Sequence, residues 1–401
     1  MRKTSAGLLA RVIASSGIAA CLALSGAAAT ATVLTAAVAN ATTTRMATAG
    51  APARAAGLPA YTSAPGWLTS VSVVSADNAW AVGVGGVKGG LIFHWNGKRW
   101  SSYLNLAGYF NGVAARSATD VWAVGGTSQF ADSQPLAVHW NGRSWTRVPT
   151  PALKIGGYFN AVADSSASSV WAVGLAGPGR GIIASEQLIE HWNGRHWTVQ
   201  HFPALPGGGQ FSGVAALSAS DAWAVGNVGW QTLAEHWNGA KWSRWASPDP
   251  LPGVGTSALS AITMITADNA WAVGNVGLPD GSSRTLTAFW NGRRWRLVAS
   301  PSRGDNASLF GVTASRANNI WAVGTAYAVP GCIGESCGPS LSLIMHWNGT
   351  RWTVVPSPNP QETINIALNG IAAVTRDNIW AVGNANYSST FIVHWNGRAW
   401  S

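Results

Sequence analysis

From about residue 61 onward, short apolar, β-branched stretches alternate with Gly, Asn and Asp, and no apolar run there recurs with the 3.6-residue period of a helix. The pattern predicts strands, and it repeats. WAVG occurs seven times, with its Trp at Trp80, Trp122, Trp171, Trp223, Trp271, Trp321 and Trp380, and each copy is followed by one WNG and then, five residues beyond the WNG Trp, by another Trp. A Val or Ile stands nine residues before each WAVG Trp (Val71, Val113, Val162, Val214, Ile262, Val312, Ile371). Between these fixed segments the spacing is free: 14 to 26 residues from the WAVG Trp to the WNG Trp, and 22 to 29 from the last Trp of one unit to the next WAVG. Fixed segments read as strands, free ones as loops.

Each unit therefore holds four strands, A to D. In the second unit A lies around FNGVAA (110–115), B is VWAVG, C is LAVHW (136–140) and D is SWTRVP (144–149). The C to D turn is Asn-Gly in every unit, the preferred pair for a two-residue hairpin with positive φ at both central positions. Gly, Ala or Ser precedes the Val or Ile of strand A (Ser70, Gly112, Ala161, Gly213, Ala261, Gly311, Gly370), as suits a strand crowded near an axis. Four antiparallel strands per unit, seven units and apolar residues on both faces of B and C predict an all-β chain, a seven-bladed β-propeller of four-stranded antiparallel blades. The unit uses 21 of the 24 tryptophans, so the aromatic mass is spent on architecture. The seventh unit ends at Ser401, one residue after Trp400, without most of its strand D; YTSAP (Tyr61–Pro65) resembles WTVVP (352–356), so the ring is expected to be closed by this N-terminal strand.

Ahead of the repeats the composition changes. Arg2, Lys3 and Arg11 precede an Ala-rich apolar stretch ending in AVA, which gives 1–39 the layout of a secretory signal peptide and 40–60 that of a flexible Ala/Thr-rich linker before a 61–401 propeller. IAAC at 18–21 also has the form of a lipoprotein box, and the stretch is long enough for an uncleaved anchor, so membrane association follows only if Cys21 is lipidated or the segment is kept. Export makes the C-x4-C pair Cys332 and Cys337, in the longest B to C loop, a loop-pinning disulfide; a metal site would need two further ligands, and none is near in sequence.

Formal charge is +10, or +7 without Arg2, Lys3 and Arg11. Nine cations occupy the C to D turns: Lys98, Arg99, Arg143, Arg195, Lys241, Arg293, Arg294, Arg351 and Arg398. In a four-stranded meander the A to B and C to D turns share one face, so these residues should form a basic ring there, either a solvated rim or a surface for an anionic cell-wall polymer. No nucleic-acid motif accompanies the charge. The variable B to C and D to A loops gather on the opposite face, where propeller ligands commonly bind. Tyr109, Tyr158, Trp230, Tyr327 and Tyr387 lie in or beside those loops and are candidates to stack on sugar rings, whereas Phe110, Phe159 and Phe211 share a slot with Leu68, Leu259, Leu309 and Leu368 and read as packing.

Six histidines precede the WNG Trp (His94, His139, His191, His236, His346, His394), but Phe289 fills the slot in the fifth unit, and blade rotation separates them; no metal or other cofactor is expected. Glu190, Glu235, Asp305 and Glu362 remain for carboxylate chemistry, with nothing in sequence to pair them.

The unit NGVAARSATDVWAVGG…LAVHWNGRSWTRVPTP resembles the Trp-rich propeller repeats of secreted actinobacterial proteins and is loosely similar to the kelch and galactose-oxidase-like superfamily, over about residues 61–401. The double-Gly kelch signature, a Cys and Tyr copper site and the sialidase Asp box have no counterpart here. The resemblance implies an extracytoplasmic location and no settled activity. Together these features favour a secreted or cell-surface, monomeric, non-catalytic propeller that binds a glycan or cell-wall polymer on its variable-loop face. The alternatives are a cell-surface scaffold for an envelope protein and a carbohydrate-active hydrolase or lyase.

Overall fold

The computed structural model describes residues 61–85, 89–103, 106–129, 132–177, 185–201, 205, 207–304, 306–327, 339–359 and 365–401. The signal and linker segments, Cys21, Cys332, Cys337, Asp305 and Glu362 lie outside them. The described chain is seven antiparallel four-stranded sheets and contains no helix. In blade 2 the order is Tyr109–Ser117, Asp120–Gly126, Pro135–Trp140, Trp145–Val148, from axis to rim. Blade 7 closes as expected: Ile366–Thr375, Asn378–Ala385 and Ser389–Trp395 are completed by Tyr61–Pro65, with Pro65 opposite Ser389.

Why the tryptophans repeat is visible at the seams. Each WAVG indole reaches into the next blade, tilted against that blade's WNG Trp and edge-on to its strand D Trp. Trp122 meets Trp192 at 5.1 Å and Trp197 at 5.2 Å, and the last seam is made the same way, Trp380 meeting Trp95 at 5.0 Å and Trp100 at 5.2 Å. Edge-to-face indoles at this spacing are attractive beyond their area burial. The WNG indoles also carry a polar tie: Nε1 of Trp95, Trp140 and Trp290 donates to the A to B turn carbonyl of its own blade.

The glycine of WAVG answers a second constraint. In every blade the A–B ladder skips two residues of strand A, one just before the A to B turn and one nearer the strand's start, the latter being Thr69, Asn111, Asn160, Ser212, Ser260, Phe310 and Asn369. The latter bulge bends the inner strand and turns the extra residue toward the axis. At this bend strand B crosses so near strand A that a Cβ on Gly274 would lie 1.9 Å from the Ala258 carbonyl oxygen, and one on Gly125 would lie 2.0 Å from that of Tyr109. Only glycine fits. The small residue before each strand A Val or Ile is explained likewise, since a Cβ on Gly112 would stand 2.9 Å from Cα of Ala161 in the next blade.

One expectation is corrected. The C to D connection is a four-residue loop, not a two-residue hairpin: Trp95 pairs with Trp100, and only Gly97 between them has positive φ (85°). Asn96 Oδ1 accepts from the amides of Lys98 (3.1 Å) and Arg99 (3.0 Å), so the asparagine is chosen as a side-chain acceptor that closes the turn.

Candidate functional site

The skipped residues nearer the start of strand A surround the axis. Together with their neighbours they line a cavity of about 160 Å³, six of the seven being polar. Four tie adjacent inner strands: Thr69 Oγ1 donates to the Phe110 carbonyl (2.9 Å), Asn111 Nδ2 to Phe159, Asn160 Nδ2 to Phe211 and Asn369 Nδ2 to Leu68 (2.8 Å each). The Asn369 bond to Leu68 crosses from blade 7 to blade 1, so these side chains tie neighbouring blades together on both sides of blade 1. The set was legible as a polar position two residues before each Val or Ile, a signal masked by the Phe310 exception.

The histidines are likewise part of the frame. Each stacks on the WAVG Trp of its own blade, with centroid separations from 4.1 Å (His191 on Trp171) to 4.6 Å (His236 on Trp223), and Phe289 does the same on Trp271 at 5.0 Å. Nε2 of His139, His236, His346 and His394 contacts Asp120, Asp221, Asn319 and Asn378, the residue two before each WAVG Trp. Burial lowers the pKa of His94, His191, His346 and His394. Among the described residues no three His, Cys, Asp or Glu side chains come together to hold a metal ion. Glu190 and Glu235 do not face the loops; they stand in strand C where other blades have Phe93, Val138, Met345 and Val393, and are 0% and 2% exposed.

On the variable-loop face the five candidate aromatics are dispersed. Tyr109 and Tyr158 meet edge to face at 6.1 Å, and Tyr109 is only 8% exposed, with its hydroxyl against Ser133. Tyr327 ends strand B of blade 6 and is partly buried. Tyr387 lies at the B to C turn of blade 7, 55% exposed, where it and Asn386 are the two non-glycine residues with positive φ (59° and 52°) among those described.

Trp230 is 49% exposed in blade 4, in the tight turn that joins Asp221–Val228 to Gln231–Trp237. Gly229 takes the left-handed conformation (φ 53°) and leaves Trp230 at the tip. Two bonds fix the turn: Asn227 Nδ2 donates to the Gly229 carbonyl (3.0 Å), and the Ser257 amide of blade 5 donates to the Trp230 carbonyl (2.8 Å). Across from it the loop 249–255 is folded on Asp249, whose Oδ1 accepts from the Leu251 amide and Ser257 Oγ. Between them opens a cleft of about 530 Å³, lined by Trp230, Gln231, Val254, Thr256, Leu278 and four glycines, with no charged side chain. Sequence reasoning found the indole but missed the opposite wall, because PGVG at 252–255 reads only as a loop. A half-exposed indole on a hydrogen-bonded turn, beside backbone amides and carbonyls, is suited to bind the apolar face of a sugar ring while the backbone groups meet its hydroxyls.

No protein-family model and no curated protein matches this chain. Solved structures do. YCF48 bound to D1 peptide aligns with a TM-score of 0.53 at 15% identity, covering 82% of this chain and 93% of its own; YCF48 from Cyanidioschyzon merolae aligns at 0.50 and 14%, over 84% and 96%. A polysaccharide lyase, an ulvan lyase bound to a saccharide, aligns at 0.54 and 10%, over 85% and 96%. These likenesses carry the fold and nothing for the narrower resemblance to actinobacterial or kelch-like repeats: the chain is a β-propeller.

Proposed function

We propose that this protein is a binding propeller that recognises a neutral glycan in the cleft between blades 4 and 5, with Trp230 as the stacking platform, and that its N-terminal segment carries it to the cell exterior. The observation behind this reading is the exposed indole, carried on a hydrogen-bonded turn, beside a cleft of about 530 Å³ that holds no charge. An uncharged lining disfavours uronate or sulfated sugars, which would lose hydration there without a compensating cation. That an ulvan lyase shares the fold shows only that such a frame accommodates saccharides. A glycan array containing neutral and acidic polymers tests the proposal: signal is expected on neutral polysaccharides, and a blank array, or signal confined to acidic ones, would refute it.

A further inference from the structure

The turn face differs in kind from the cleft. A Cβ on Gly97 would lie 2.6 Å from Asp77 Oδ1, so the C to D turns stand directly beside the A to B turns and form one surface. All nine turn cations are exposed, and none forms an ion pair with a described residue. Arg116, Arg316 and Arg376 add three more at the A to B turns. Against these twelve stand six carboxylates, Asp77, Asp120, Asp164, Asp221, Asp268 and Asp377, most of them engaged: Asp120 with Arg116 and His139, Asp221 with His236, Asp377 with Arg376, Asp268 with Thr266. On the opposite face the described charges are Lys154, Arg284 and Arg303 against Asp132, Glu186, Asp249 and Asp280. Among the described residues the positive excess is therefore carried on the turn side.

We propose that this side is a second, separate binding surface, which seats the propeller on a linear polyanion of repeating phosphate or carboxylate charges and leaves the variable-loop face turned outward. The cations stand one or two to a blade on separate turns. A small anion would meet a single turn, while a polymer with charges along its length meets several at once and gains affinity by multivalency. Nucleic acid fits less well. The face offers short turns and no helix to enter a groove, and its WNG indoles are either buried (Trp95, Trp140, Trp290) or half-buried with one side already packed on the WAVG Trp of the preceding blade (Trp192, Trp237, Trp347, Trp395), which leaves little ring face for a base.

The full chain is titrated against linear polyphosphate, polygalacturonate, neutral dextran and duplex DNA at 50 and 500 mM NaCl. Binding to polyphosphate or polygalacturonate is expected to weaken by about a hundredfold across that range, as the neutralisation of about three charges on a single-stranded polyanion requires; whichever polymer binds tighter identifies the phosphate or the carboxylate source. Two charge-reversed arcs, Arg143→Glu with Arg195→Glu and Lys241→Glu, and Arg293→Glu with Arg294→Glu and Arg351→Glu, should each lose about tenfold or more. Lys154→Glu with Arg303→Glu on the loop face should lose less than about twofold, as should Trp230→Ala, which separates this surface from the glycan cleft. The arcs alter only exposed turn residues, and circular dichroism checks that they fold. Undiminished binding by both arcs, equal loss in the loop-face variant, or binding of duplex DNA with neither polyanion bound would overturn the proposal.

Discussion

Single residues show how strongly position overrides residue type here. Glu190 looks in sequence like a catalytic carboxylate, yet it is buried with both oxygens unpartnered, and burial raises its pKa to about 8; Glu235 is raised to about 7 by burial, against the pull of Arg244. The folded state holds these protons to higher pH than the unfolded chain, so their contribution is intact below about pH 4.5 and is lost as pH rises through about 7 to 8. For Glu190 the loss is on the order of 5 kcal/mol once complete. Glu190→Gln should therefore raise the urea midpoint at pH 8.5, change it little at pH 4.5, and flatten the decline between; a variant as pH-sensitive as the parent would show that Glu190 does not titrate in this range. Strand periodicity marks such a position as inward, but one sequence cannot say that a glutamate there lacks a partner. Tyr109 illustrates the converse, since its place beside a variable loop suggested exposure and the edge contact with Tyr158 takes it inside.

At the level of elements, the fixed spacing of the three tryptophans is a contact rule between neighbouring blades. Trp171 is 0% exposed and packs on Trp237 and Trp242 of the next blade. Trp171→Ala should cost about 3 to 5 kcal/mol in global unfolding, with loss of near-ultraviolet circular dichroism from that seam. A cost below about 1 kcal/mol would mean that the seam relaxes around the cavity. Strand identity and order were legible because WAVG, WNG and the preceding Val or Ile repeat without slippage. Turn geometry was not: Asn-Gly serves a two-residue hairpin and a four-residue loop equally well, and the pairing of Trp95 with Trp100 decides between them. The bulges were hidden too: their one mark is the polar residue two positions before each Val or Ile, which Phe310 interrupts and which does not by itself say that a residue is inserted.

The molecule as a whole depends on joining its two ends in blade 7. Tyr61–Pro65 pairs with Ser389–Trp395, and Gly66 donates to the Ser388 carbonyl (2.8 Å). Deleting 61–65 should expose Ser389–Phe391 as an unpaired edge, beside the short pairing of His394 and Trp395 with Ser401 and Trp400, lower the thermal midpoint and promote association through that edge; an unchanged midpoint in a monomeric variant would count against closure as a source of stability. This closure was legible because a truncated seventh unit and a spare strand-like segment complement each other. The ligand was not, because the cleft is made by loops of two blades whose lengths follow no rule. The central claim, that a neutral glycan stacks on Trp230, is tested most directly by calorimetric titration of a neutral oligosaccharide into the full chain and its Trp230→Ala variant at 50 and 500 mM NaCl. The account predicts an affinity that changes little with salt and falls about tenfold or more on removal of the indole. Equal affinity in the two proteins, or binding abolished by salt, would contradict it.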